Sequence, residues 1–145
     1  MPSEATSLPE PNAAEAVGPR DDELLACLLV LARAHGEALT ADGATAGLPL
    51  VNGRLTPSLF ERAAARAGLS ARVVRRSLQD LQPALLPAVL LLQDERACVV
   101  LGWSADGQGL RVIYPELGEA EVSVPLDELQ ASYLGSTIYA RPKLR

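Results

Sequence analysis

The feature that most constrains this chain is a change of hydrophobic period at Gly68. Before it, apolar residues recur at the three- and four-residue spacing of a helix; after it they recur every second residue, the spacing of a strand. Leu24, Leu25, Leu28, Leu29, Leu31 and Ala32 form one helical stripe, with Asp21 or Asp22 as N-cap and Gly36 as the stop. A turn-rich segment, ADGATAGLPLVNG, follows. Thr56-Pro57 then opens a second helix, with the threonine as cap and the proline at the first position, closing at Gly68. Six runs come next: LSARVVRRS, AVLLL, ACVVLGW, LRVIYP, EVSV and STIYARP, each bounded by Gly, Pro or Asp. Asp94-Glu95 joins two of the runs and Asp106-Gly107 falls where a tight hairpin turn wants φ above zero, so the pairing is expected to be mainly antiparallel. A short helix from Leu126 to Tyr133 interrupts the last two strands. Helices collected early and strands collected late predict an α+β domain, two helices on one face of a five- or six-stranded sheet.

At 145 residues the chain is long enough for one domain with a real core. Residues 1 to 19, with four prolines among Ser, Glu and Ala, read as a flexible tail, and the folded domain as residues 20–141. Although 48% of the chain is apolar, the longest apolar stretch, Ala84 to Leu92, holds nine residues and contains Pro87. A bilayer span needs roughly 20. No basic segment leading into an apolar one opens the sequence, which points to the reducing cytoplasm. Cys27 and Cys98 read accordingly as two buried, reduced thiols. A net charge of −5 argues against nucleic acid as a partner.

The inventory of reactive groups is thin. His35 is the one histidine and fits a helix C-terminus, where an imidazole meets the last carbonyls. One histidine and two distant cysteines do not make a metal site, and no glycine-rich loop lies between a strand and a helix to cradle phosphate, so no metal or cofactor is expected. Five arginines, Arg62, Arg66, Arg72, Arg75 and Arg76, gather around the second helix and first strand in a chain with a single lysine. They form either a solvated charged face or a patch for an acidic partner. Trp103 and Tyr114 either close the core or line a groove.

Certain segments carry a family likeness. Asp22 to Leu28 reads D-E-L-L-A-C-L, Ala34 to Gly36 reads A-H-G, Ala97 to Leu101 reads A-C-V-V-L, and Tyr114-Pro115 follows. In this frame the chain resembles the N-terminal peptidase and peptidase-like domains of bacterial ABC exporters, papain-like domains whose active members trim double-glycine leader peptides. Those members open the helix with Asp-Cys-Gly-x-Ala-Cys-Leu, carry His-Phe-Val-Val-Leu on a strand, and orient the histidine with an Asp-Pro. The resemblance places Glu23 at the nucleophile, Ala97 at the histidine and Tyr114 at the aspartate, leaving Cys27 as the structural second cysteine and Val17 near the oxyanion glutamine.

A thiolate nucleophile, a base to make it and an acid to orient the base are thus all expected to be missing. The likeness is to the inactive branch, peptidase-like domains of type I secretion exporters of RTX-type toxins and adhesins, and within it to adhesin exporters through Leu48 to Arg76 and Pro87 to Leu92. The end, LGSTIYARPKLR, resembles the last strand leading, over residues 142–145, into the transporter's membrane domain. The resemblance implies a non-catalytic domain on the cytoplasmic side of the inner membrane. It would hold unfolded RTX-type cargo, with the transporter's membrane and nucleotide-binding domains and a membrane fusion protein as further partners. Arg62, Arg66, Arg72, Arg76, Trp103 and Tyr114 are the candidate cargo-binding residues. A residual cysteine peptidase and a structural or gating module are the alternative readings.

Overall fold

A computed structural model of the chain describes residues 22–118 and 120–142. The tail expected over residues 1–19, Val17, and the linker beyond Pro142 lie outside the described residues. Four helices, α1 (Glu23–Ala34), α2 (Ala41–Thr45), α3 (Pro57–Ala65) and α4 (Leu126–Gln130), accompany six strands. These are β1 (Leu69–Arg75), β2 (Ala88–Leu92), β3 (Arg96–Trp103), β4 (Gly109–Ile113), β5 (Glu121–Pro125) and β6 (Tyr133–Pro142). They form one sheet in the order β1-β6-β2-β3-β4-β5, antiparallel at every step.

Local chemistry sets the helix boundaries. Asp22 caps α1, its carboxylate accepting from Leu25 N at 3.1 Å, and His35 closes the helix before Gly36 takes a left-handed φ of 77°. Thr56 caps α3 by accepting from Leu59 N at 3.3 Å, ahead of Pro57 in the first turn. That helix ends at Ala65 rather than Gly68, and α4 at Gln130 rather than Tyr133, because the remaining residues turn the chain into the next strand. The segment read as turns contains α2, a short helix capped by Thr40 onto Gly43 N at 2.9 Å. Five residues cannot hold a helix alone. Ala44 is fully buried, and Arg66 donates to the carbonyls of Gly43 and Ala44 at 3.0 and 3.2 Å.

Between β2 and β3, Asp94 and Glu95 both have positive φ, 62° and 59°, as a two-residue hairpin turn demands.

α1 and α3 pack on one face of the sheet against Leu69, Ala71, Val89, Ala97, Val99 and Ile138. The other face also carries a core, where Leu78, Leu81 and Leu129 cover Leu90, Cys98, Val100, Leu110 and Val112. β2 and β3 are therefore buried on both sides, which is why they read as continuous apolar runs. At the edges, β1 and β5 are mostly exposed.

Candidate functional site

α1 begins against the start of β3, and the groups there are closely tied. Asp22 is 3% exposed. Besides capping α1, its second carboxylate oxygen accepts from Leu55 N at 2.7 Å, bolting the loop before α3 onto the helix start. The next residue, Glu23, accepts from Ala97 N at 3.2 Å. Arg96 lies beside both: it donates to Glu116 at 2.7 and 3.4 Å, stands 4.0 Å from the Glu23 carboxylate, and holds its guanidinium 6.0 Å from the centre of the Tyr114 ring. Glu23 and Ala97 are thus in direct contact, and Tyr114 joins them through Arg96. Glu23, Arg96 and Ala97 border a groove of about 280 Å³ whose other walls include Arg54, Leu55, Leu91 and Leu134, and Tyr114 lies outside its lining.

Burial pushes the Glu23 carboxyl up to about 7, and a hydrogen bond shared with Glu116 acts in the same direction against the Ala97 amide and Arg96. Glu116 is held below its ordinary value by that hydrogen bond and by Arg96. Near neutral pH the two carboxyls act as a unit, with Glu23 the member that keeps a proton.

The thiols are elsewhere. Cys27 is fully enclosed in the core on α1, where burial pushes its thiol well up. Cys98, next to Ala97, points into the opposite core, where burial pushes it up to about 12. A buried thiol of raised pKa is not a nucleophile. His35 sits at the far end of α1, 12 residues and so roughly 18 Å from Glu23.

The five arginines do not form one patch. Arg62 and Arg66 are on α3, and Arg66 is engaged with the α2 carbonyls. Along β1, Leu69 and Ala71 face the helices, so Arg75 shares their side while Arg72 and Arg76 project from the other. Trp103 packs against the second core at the end of β3 remote from Ala97, donating to Leu81 O at 3.4 Å, and is well away from the arginines. Tyr114 packs at the rim of that same core beneath Arg96. Arg96 and Glu116, which the sequence reading passed over, organise the site, and their adjacency to positions 97 and 114 was the available signal.

Helices on a six-stranded antiparallel sheet, with a groove where α1 meets β3, define a papain-like α+β domain. Among solved structures, the chain is similar to the N-terminal peptidase C39-like domain of the toxin secretion ATP-binding protein from Vibrio parahaemolyticus. Identity is 34% over 84% of this chain and 98% of that one, with a TM-score of 0.80. The chain therefore belongs to the N-terminal peptidase C39-like domains of ABC transporters. The peptidase domain of Streptococcus ComA shares the fold at 17% identity, covering 84% and 92% of the two chains with a TM-score of 0.71. A double glycine motif protease from an AMS/PCAT transporter, in complex with its leader peptide, does so at 16% identity, 84% and 85% coverage and a TM-score of 0.67. No family model and no curated protein matches the chain. Among the described residues no helix is long and apolar enough to cross a membrane.

Proposed function

We propose that this domain recruits cargo and does not cut it. It would act on the cytoplasmic side of the inner membrane as the N-terminal part of a type I secretion ABC exporter, holding unfolded RTX-type adhesin or toxin for the membrane and nucleotide-binding domains, with a membrane fusion protein completing the export path. The observation that carries the reading is the separation of the chain's reactive groups: both thiols are buried, and the one imidazole stands at the opposite end of α1 from the groove. Peptide cleavage by this fold needs a thiolate and a base in hydrogen-bond reach. At the groove stand Glu23 and Ala97 instead, with Tyr114 behind Arg96, and Ala97 has no proton to give a leaving amine. The toxin secretion protein to which the Vibrio relative belongs favours export cargo of that class.

Two measurements test this. Incubated with a double-glycine leader peptide, the chain is expected to leave it intact by mass spectrometry, and alkylating agents to change nothing; cleavage abolished by Cys27→Ala would overturn the non-catalytic reading. Titrated with the calcium-free C-terminal repeat segment of the co-encoded secreted protein, it is expected to bind, and to bind less once calcium folds the repeats. Absence of binding at every salt concentration would leave a structural or gating role in its place.

A further inference from the structure

A second cavity, of about 530 Å³, lies at the far end of α1 from the Glu23 groove, where His35 meets β1, β6 and the segment before β2. Every second residue of one edge lines it: Ser70, Arg72, Val74 and Arg76, which spans roughly 20 Å at about 3.3 Å per residue. Opposite them stand Leu85 and Leu86, and Tyr139 and Arg141 of β6 continue the floor, paired across from Arg72 and Ser70. The trough is long, narrow and parallel to an edge strand.

Its chemistry is one-sided. Arg72, Arg76 and Arg141 line it and, among the described residues, no carboxylate does. None of the three makes an ion pair or side-chain hydrogen bond with any described residue, whereas Arg54, Arg96 and Arg111 are all paired with glutamates. Among the described residues, the buried side-chain polar atoms without a hydrogen-bond partner are His35 Nε2 and the Tyr139 hydroxyl. Both belong to residues lining this same trough. Buried polar atoms are almost always paired, so two unpaired ones just behind the wall of one cavity set this region apart from the rest of the domain. Between the charges the walls are apolar, through Val74, Leu85 and Leu86.

The geometry points to this trough as the binding site for an extended, acidic polypeptide segment of six or seven residues, its carboxylates meeting Arg72, Arg76 and Arg141 and its alternate apolar side chains resting on Val74, Leu85 and Leu86. An extended chain turns alternate side chains to opposite sides, so its carboxylates and its apolar side chains can each meet a different part of the wall. The inference rests on the recruiting role proposed above, and assigns that role to β1 and β6 rather than to the groove at Glu23.

The test uses the 145-residue chain and a fluorescein-labelled peptide in which aspartate alternates with valine, followed by fluorescence anisotropy at low and physiological salt. The acidic peptide is expected to bind, more weakly as salt rises, and a lysine-valine peptide not to bind. Arg72→Glu with Arg76→Glu should weaken the acidic peptide at least tenfold at low salt, and Arg72→Gln with Arg76→Gln should do so less, with thermal unfolding checking that each variant is folded. Arg62→Glu, on α3, should change affinity less than twofold. Tyr139→Phe should weaken binding several-fold without lowering thermal stability, since it removes an unpaired hydroxyl and no packing. Equal binding of the two peptides, or indifference of the acidic one to both arginine pairs, would overturn the inference. So would loss of binding to phosphatidylserine vesicles, rather than to the peptide, in the double reversal. The calcium-free repeat segment separates this site from the recruiting role: binding equally to wild type and the double reversal would remove the trough and keep the role, whereas binding of the acidic peptide alone would keep the trough and remove that cargo.

Discussion

At the N-terminal end of α1 the charges answer one another, whereas along β1, among the described residues, none is answered. Asp22 spends both oxygens on backbone amides, Glu23 takes the Ala97 amide, and Arg96 is clasped by Glu116 and rests by the Tyr114 ring. Along the β1 trough three guanidinium groups and two buried polar atoms have no protein partner among the described residues. At the start of α1 the charged groups form a network of mutual hydrogen bonds and ion pairs that serves stability. At the free edge of the sheet the guanidinium groups are left to solvent or to the partner proposed above. A site for a partner is recognised by what the protein leaves unsatisfied, not by what it pairs internally.

That contrast can be broken most forcefully at Asp22. Asp22→Ala removes a helix cap and leaves the Leu55 amide without a partner, so denaturant unfolding should show a loss of about 3 kcal/mol, the sum of a cap and an orphaned buried donor. A loss under about 1 kcal/mol would mean that the network at this end is not what holds the loop to α1.

A smaller effect is expected from protonation. The folded value of Glu23, about 7, lies above its ordinary 4.5, so its contribution to stability is fully present below about 4.5 and is lost as pH rises through 7. Glu116, depressed by its partners, acts in the opposite sense, its contribution being present above the ordinary carboxylate range and lost only on strong acidification. Between pH 5 and 8 the Glu23 contribution therefore dominates. Glu23→Gln keeps a donor and an acceptor but cannot ionise, and should be the more stable protein at pH 8. The margin should be about 1 kcal/mol, limited by solvent screening around the 39%-exposed Arg96 side chain, and should vanish near pH 5. Parallel stability curves for the two proteins would show that the carboxyl pair is not closely coupled.

The smallest expected effect is at the mouth of the Glu23 groove, where Arg54 and Glu95 pair at 2.8 Å with 42% and 72% of their side chains exposed. Arg54→Ala should cost no more than about 0.5 kcal/mol and leave repeat-segment affinity within twofold. A large loss of affinity would move cargo binding from the β1 trough to this groove and reverse the comparison.

The sequence by itself determined α1, α3, all six strands and both principal hairpins, because caps, prolines and hydrophobic period act over a few residues. Asp22 and Thr56 start helices by capping their first turns, and Asp106-Gly107 turns the chain through a glycine free to take a positive φ. It also carried the placement of Glu23 and Ala97 in one frame, since their flanking motifs are local. Tertiary structure alone decided the rest. α2 was illegible because Asp42 and Gly43 favour turns, and the helix forms only with Ala44 buried and Arg66 on its carbonyls. The second core was illegible because a continuous apolar strand says that both faces are covered, not by what. Glu23 and Glu116 lie far apart in the chain, so their coupling, with Arg96 beside both, is set by the fold, and only the adjacency of Arg96 and Glu116 to positions 97 and 114 hinted at it. The arginines seemed one cluster by proximity in sequence, but strand alternation sent Arg72 and Arg76 to one side of the sheet and Arg75 to the other, while Arg62 and Arg66 stayed on α3. Only the register of β1 against β6 then set Arg72 opposite Tyr139 and Ser70 opposite Arg141, because pairing between distant strands is chosen by the burial of whole faces and not by any one residue's neighbours.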